Sequence, residues 1–250
     1  MGVLLRAGRA RDLGRNDRHA RGAGRGSASS FRCGPPLTDV LLRARGVARR
    51  YGADVALQPT DLELHAGDTL ALIGPNGAGK STLLSILAGA LSTSEGAVER
   101  VHGGRVGWVP QRPALYERLT ARENLELFAR LEGIDAATTA ADDLLASFDV
   151  PGDRPAGALS VGNRQRLNVA IALLGAPPVL LLDEPTASLD PGQRHRLWDI
   201  VRGDTVVFST QNLEEIGLYA TRVAVLQRGR LVFDGDVEAY ERVHAEEVFR

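Results

Sequence analysis

The chain has 250 residues, 44% of them hydrophobic, and a formal net charge of -1; this is enough apolar material for one large domain with sub-parts, and the charge does not suit a general nucleic-acid binder. One cysteine, Cys33, permits no internal disulfide, which fits a reducing compartment. The longest apolar stretch, residues 167–182, is interrupted by Asn168, Gly175, Pro177 and Pro178, so it does not read as a membrane span.

Residues 1–36 differ from the rest. Arg6, Arg9, Arg11, Arg15, Arg18, Arg21, Arg25 and Arg32 face only Asp12 and Asp17, amid many Gly and Ser, and this composition predicts disorder. The stretch reads as an inert tail or as the product of a start codon upstream of the true one near Val40. An arginine-rich transit peptide, weakened by the glycines and acids, and a basic arm touching lipid or a partner stay open. From residue 37 onward the pattern is that of a packed domain. Residues 40–45 read as a strand, Tyr51-Gly52 as a turn, 62–64 as a strand, and Ala66-Gly67-Asp68 as the turn into the next. Tyr51 lies upstream at a distance suited to stacking under a purine ring, or is simply a core or rim tyrosine.

Residues 69–73 form an apolar run fit for a buried parallel strand, and 83–88 fit a helix. Between them lies Gly74-Pro75-Asn76-Gly77-Ala78-Gly79-Lys80-Ser81-Thr82, the phosphate-loop pattern in the context it requires. A loop of small residues lets successive N–H groups turn toward β- and γ-phosphates, and the following helix aims its positive end at the same point. Lys80, the single lysine of the chain, adds a compact ammonium that a forked guanidinium would not replace. The Ser81 hydroxyl is placed to ligate Mg²⁺.

Residues 95–98 and 105–109 alternate in strand fashion and lead to Pro110-Gln111. The period then changes: Thr120 as N-cap and Glu123 closing a capping box predict a helix over 122–128, and a second helix follows over 142–148. A helical insert, about residues 112–176, thus interrupts an alternating domain. At Leu159-Ser160-Val161-Gly162-Asn163, Ser160 and Gly162 head a helix over 164–171; this is an anion site or merely a capped helix start. Residues 179–182 are a buried strand delivering Asp183 and Glu184 to its C-terminal end, where open parallel sheets place their ligands. Asp183 can hold Mg²⁺, and Glu184 can orient and deprotonate a water; the alternative is a solvated acidic turn. Ser188-Leu189-Asp190, a helix from Pro191, a strand over 205–208 and Ser209-Thr210-Gln211 follow. Strand, turn and strand over 222–233 and an amphipathic helix near 237–248 close the chain.

Taken in order, the phosphate loop, Gln111, the Leu-Ser-x-Gly-x stretch, Asp183-Glu184 and Ser188-Leu189-Asp190 resemble the nucleotide-binding subunit of an ATP-binding cassette (ABC) transporter over about residues 41–235. The resemblance implies an α/β P-loop fold of ABC type: a mixed sheet core, an antiparallel β part and an α-helical insert. It implies ATP and Mg²⁺, and a head-to-tail dimer, of identical or related subunits, closing around two ATP molecules. Tyr51 would stack on adenine, and Gly74 to Thr82 would hold phosphate and metal. Gln111 would reach Mg²⁺ and the attacking water, Asp183 would complete the metal shell, and Glu184 would be the general base. Ser160 and Gly162 would act in trans, and Asp190 would join the two sites.

The resemblance also implies a separate transmembrane permease, touched by the Gln111 loop and the helical insert, and so a cytoplasmic position on the inner face of the membrane. No nucleic acid is expected as a partner. Residues 111–125 are similar to the branch serving drug, polysaccharide and ion exporters. Three positions depart from the family. Val161 and Asn163 replace a glycine and a glutamine of the usual signature, and Gln211 stands where a histidine usually contacts the γ-phosphate. Glutamine can donate a hydrogen bond but carries no titrating proton, so slow turnover is expected, and a degenerate regulatory subunit is the alternative. The segment between Val98 and Arg105 also looks short relative to the family, suggesting a trimmed antiparallel region.

Overall fold

The computed structural model describes residues 39–101 and 104–248, with side chains as far as residue 243. The expected disordered stretch over 1–36 lies outside the described residues, as do His102 and Gly103 in the segment that looks short.

Strands β1 (Val40–Tyr51) and β2 (Asp54–His65) run antiparallel around a tight turn in which Tyr51 pairs with Asp54. Both are longer than the sequence suggests. Gly46, at φ 55°, sits where the register shifts between Ala44 and Val47, and such a bulge bends a strand without ending it. Next come β3 (Thr69–Ile73), α1 (Lys80–Ala88) and β4 (Glu95–Arg100). β4 pairs antiparallel with β1, so one sheet has the order β2-β1-β4.

After β5 (Val106–Val109), the regular elements before the next strand are all helical: α2 (Ala121–Leu131), α3 (Ala137–Phe148), a short 3-10 turn and α4 (Val161–Ala172). The capping box on α2 forms as read: Thr120 Oγ1 accepts from the Glu123 N–H at 3.1 Å, and Glu123 Oε2 accepts from the Thr120 N–H at 2.8 Å. Then follow β6 (Val179–Asp183), α5 (Pro191–Val201), β7 (Thr205–Ser209), α6 (Leu213–Tyr219), β8 (Arg222–Gln227), β9 (Arg230–Asp236) and α7 (Val237–Val248). α6 has no counterpart in the sequence reading. It is short, and Asn212 caps it by accepting from the Glu214 N–H.

The second sheet has the order β5-β6-β7-β3-β8-β9; neighbours are parallel except β9, which runs antiparallel to β8. Its central strands are buried on both faces, as their continuous apolar sequences require. Period two sorts their side chains. Leu70, Leu72, Val179, Leu181 and Val207 pack with Leu83, Leu84 and Leu87 of α1 and the inner face of the antiparallel sheet. Ala71, Ile73, Leu180, Leu182, Val206 and Phe208 pack with the helices, among them Leu125, Leu145, Leu167 and Trp198. The result is a three-layer α/β fold with a mixed sheet at its centre.

Candidate functional site

The strand order β5-β6-β7-β3 decides which loops meet. Gln111 lies two residues past β5, Glu184 one past β6, Gln211 two past β7, and the phosphate loop leaves β3. Parallel strands end at one edge, so all four come to the same edge. A pocket of about 370 Å³ there is lined by Ala56, the loop from Asn76 to Thr82, Gln111 and Glu184.

The phosphate loop needs its glycines at two points. Gly74 has φ 146°, and a Cβ there would lie 2.1 Å from the Leu226 carbonyl oxygen. Gly79 has φ 104°, with a Cβ 2.8 Å from the Ala56 carbonyl oxygen. Only glycine fits either position. Lys80 is buried and its Nζ donates to the carbonyls of Gly74 (2.7 Å) and Pro75 (3.1 Å), so the ammonium lies inside the curl of the loop. The helix behind it, like α3, begins without a side-chain cap, but at a glycine of the loop. Thr120, Ser160, Asp190 and Asn212 each cap a helix through a side-chain oxygen, whereas α1 starts at Gly79 with no side-chain cap. Its first N–H groups and positive dipole end therefore face the pocket uncapped.

Across the pocket, Asp183 is 2% exposed. The Ser209 hydroxyl donates to Asp183 Oδ1 at 2.6 Å and accepts from the Glu184 N–H at 2.8 Å. One hydroxyl thus orients the carboxylate and fixes the backbone of the next residue. That backbone is unusual, since Glu184 has φ 49° without being glycine. Such conformations persist only where surroundings over-determine them.

The Glu184 carboxylate is held from both sides. Gln111 Nε2 donates to Oε2 at 3.0 Å and Gln211 Nε2 donates to Oε1 at 2.7 Å. Gln211 Nε2 also donates to Asn76 Oδ1 at 3.1 Å, tying the carboxylate to the phosphate loop. Sequence reasoning paired neither glutamine with Glu184 and, though it named Ser209 at the end of its strand, gave it no role. The only available signal was a serine ending a buried strand beside the acidic one.

The remaining expected residues form other groupings. Ser160 caps α4, accepting from the Asn163 N–H at 3.2 Å. Asp190 caps α5, accepting from the Gln193 N–H at 2.9 Å. A Cβ on Gly162 would come 2.9 Å from Gln193 Oε1, so α5 packs directly behind the Ser160 turn. Val161 is 56% exposed at the helix tip, while Asn163 Oδ1 accepts from Arg166, which also donates to the Phe148 carbonyl at 2.7 Å. Tyr51 is half exposed, with the Arg49 guanidinium 4.6 Å from its ring centroid. Ser160, Gly162, Asp190 and Tyr51 do not line the phosphate-loop pocket.

A glycine cradle at an uncapped helix start, facing a buried aspartate and a second acid at the end of the neighbouring parallel strands, defines a P-loop nucleoside triphosphatase. Residues 57–187 match the ABC transporter family. The chain is 39% identical over 222 residues to the daunorubicin resistance ATP-binding protein DrrA3 of Streptomyces coeruleorubidus, covering 81% of this chain and 70% of that protein. It is 34% identical over 217 residues to the Nod factor export ATP-binding protein I of Sinorhizobium fredii, covering 79% and 63%. Its fold is shared with the ATP-binding cassette MJ0796, solved as a dimer in a post-hydrolysis state bound to ADP and Pi, with TM-score 0.72 and 24% identity over 79% of this chain and 99% of that one.

The chain belongs to the ABC transporter family and is an ATP-binding cassette of that family. It spans about two thirds of the length of the curated relatives it matches. Family and fold imply ATP and Mg²⁺, and the residues suit both. The uncapped α1 start and the two obligatory glycines fit a polyphosphate, and the serine hydroxyl at the helix start with an oriented aspartate fits a hard, oxygen-seeking cation. Among the described residues no helix is long and apolar enough to cross a membrane.

Proposed function

We propose that this cassette hydrolyses ATP to energise export through a separate membrane permease, as one half of a head-to-tail dimer. The convergence of Glu184, Gln111, Gln211 and the phosphate loop on one sheet edge carries this reading. The printed names of the relatives, a drug-resistance protein and a Nod factor export protein, support the export direction. The dimeric cassette of the same fold supports the dimer. In this reading the chain sits on the inner face of the membrane, held there by the permease.

Lys80, the loop N–H groups and the α1 start bind the β- and γ-phosphates. Ser81, Asp183 and Gln111 hold Mg²⁺, which neutralises charge on the phosphate oxygens. Glu184 accepts the proton of the attacking water, and the two glutamine amides orient its carboxylate. Tyr51, backed by Arg49, presents its other face to adenine. Ser160 and Gly162 reach the γ-phosphate bound by the partner copy, and Asp190 links the two sites.

Glu184→Gln should lower MgATP turnover at least about 100-fold while leaving an ATP-bound dimer visible by size exclusion. Turnover close to wild type in that variant would remove Glu184 as the base.

A second reading, a regulatory subunit that closes on ATP but hydrolyses little, is favoured by the exposed Val161 in the turn where the family has glycine and by amide donors on both Glu184 oxygens. Negligible hydrolysis by the wild type, restored in a mixture with a companion ATPase, would select it.

A further inference from the structure

Beneath the Gln211 loop lies a buried polar pair that the proposed mechanism does not use. Glu215, on α6, is 3% exposed, and Thr210, just past β7, is 5% exposed. The Thr210 hydroxyl donates to Glu215 Oε2 at 2.6 Å and accepts from the Asn212 N–H at 3.0 Å. The residues on either side of Gln211 are thus tied together through one hydroxyl, itself held by the helix that follows. Glu215 Oε1 is buried with no hydrogen-bond partner among the described residues. Glu215 also lines a pocket of about 390 Å³ that Glu184, Arg194 and Gln211 share.

A buried carboxylate with one bare oxygen is a poor choice for stability. Leaving it unpaired is unfavourable, while replacing both partners of such a pair by apolar groups of similar shape is often neutral or stabilising. Its effect is better sought in geometry. Gln211 must place one amide nitrogen between Glu184 Oε1 and Asn76 Oδ1, and a small error there loses both bonds.

We infer that Glu215, acting through Thr210, is a positioning residue that holds Gln211 against Glu184, so that the seating of α6 sets how the general base is oriented. This rests on the role proposed for Glu184 above, and it assigns α6 a part in turnover.

The test compares steady-state hydrolysis of MgATP by the full chain with its stability in urea. Thr210→Val with Glu215→Met removes the pair without leaving a polar orphan. It should be at least as stable as the wild type and about tenfold slower in kcat, with KM for ATP changed less than about twofold. Glu215→Gln, which keeps a carbonyl acceptor for the Thr210 hydroxyl, should keep the rate within about threefold of wild type. In a Gln211→Ala background the apolar pair should produce no further loss, because both changes remove the same bond. Losses that multiply in that background, an unchanged rate in the apolar pair, or equal damage from Glu215→Gln would overturn the inference. Glu184→Gln runs alongside: if it alone keeps the wild-type rate, the fault lies with the general base and not with Glu215.

Discussion

Gln211 stands where the resemblance leads one to expect a histidine, and the structure gives it specific partners. Its amide reaches both Glu184 and Asn76, two bonds that a neutral imidazole, with one N–H donor, cannot make together. A carboxamide also has no titration near neutrality. In Gln211→His the pH profile of turnover should gain a limb near the ordinary histidine value of about 6.5, with the rate above that pH raised up to about tenfold. The wild type should show no limb from this position. A profile of kcat against pH for the two proteins decides it; identical profiles would mean that the side chain at 211 does not act on the reaction. The pairing of Gln211 with Glu184 was not legible beforehand. Residue identity told which groups could take part, but their bonds depend on β6 and β7 lying side by side, which no local pattern encodes.

At the scale of elements, local chemistry was a good guide at α2, where a capping box announced the helix. The α2 N-cap was readable to the residue because Thr120 and Glu123 satisfy each other's backbone donors. Both hydrogen bonds from Thr120 to the Glu123 carboxylate favour its charged form and lower its pKa from the ordinary 4.5. The folded-state value lies below the unfolded one, so the carboxylate's share of the cap is complete above the unfolded pKa and is lost as pH falls through the folded one, while the bond from the Glu123 N–H to Thr120 Oγ1 does not titrate. Thr120→Ala should destabilise the chain by about 1 kcal/mol, as measured by urea unfolding at neutral pH, and the difference should shrink in acid. Equal stability of the two proteins at neutral pH would contradict the cap. α6 escaped notice because a helix of this length shows little periodicity, and β1 outruns the residues read as a strand because Gly46 makes a bulge there. In both cases long-range packing outweighed the local signal.

For the whole molecule, the layered class was legible because alternating apolar strands and helices admit few arrangements. The strand order was not. β3 lies between β7 and β8, both more than a hundred residues later, and only the closed core selects those neighbours. The long return is also tied down by charge. Arg222 on β8 donates to both carboxylate oxygens of Asp234 on β9, to Asp68 before β3 and to the Glu63 carbonyl on β2. Burial alone would lower its pKa; the Asp234 and Asp68 carboxylates outweigh that and raise it. The guanidinium thus stays charged where the two sheets meet.

Lysine 80, tucked under its loop, makes the molecule its own reporter. With one side-chain amine in the whole chain, and that one 6% exposed and engaged by two carbonyls, an amine-acylating reagent has a single internal target. Acylation of Lys80, followed by peptide mass spectrometry, should be slow in the resting chain and slower still with MgATP. Fast acylation that nucleotide does not suppress would mean that the ammonium never meets the phosphates.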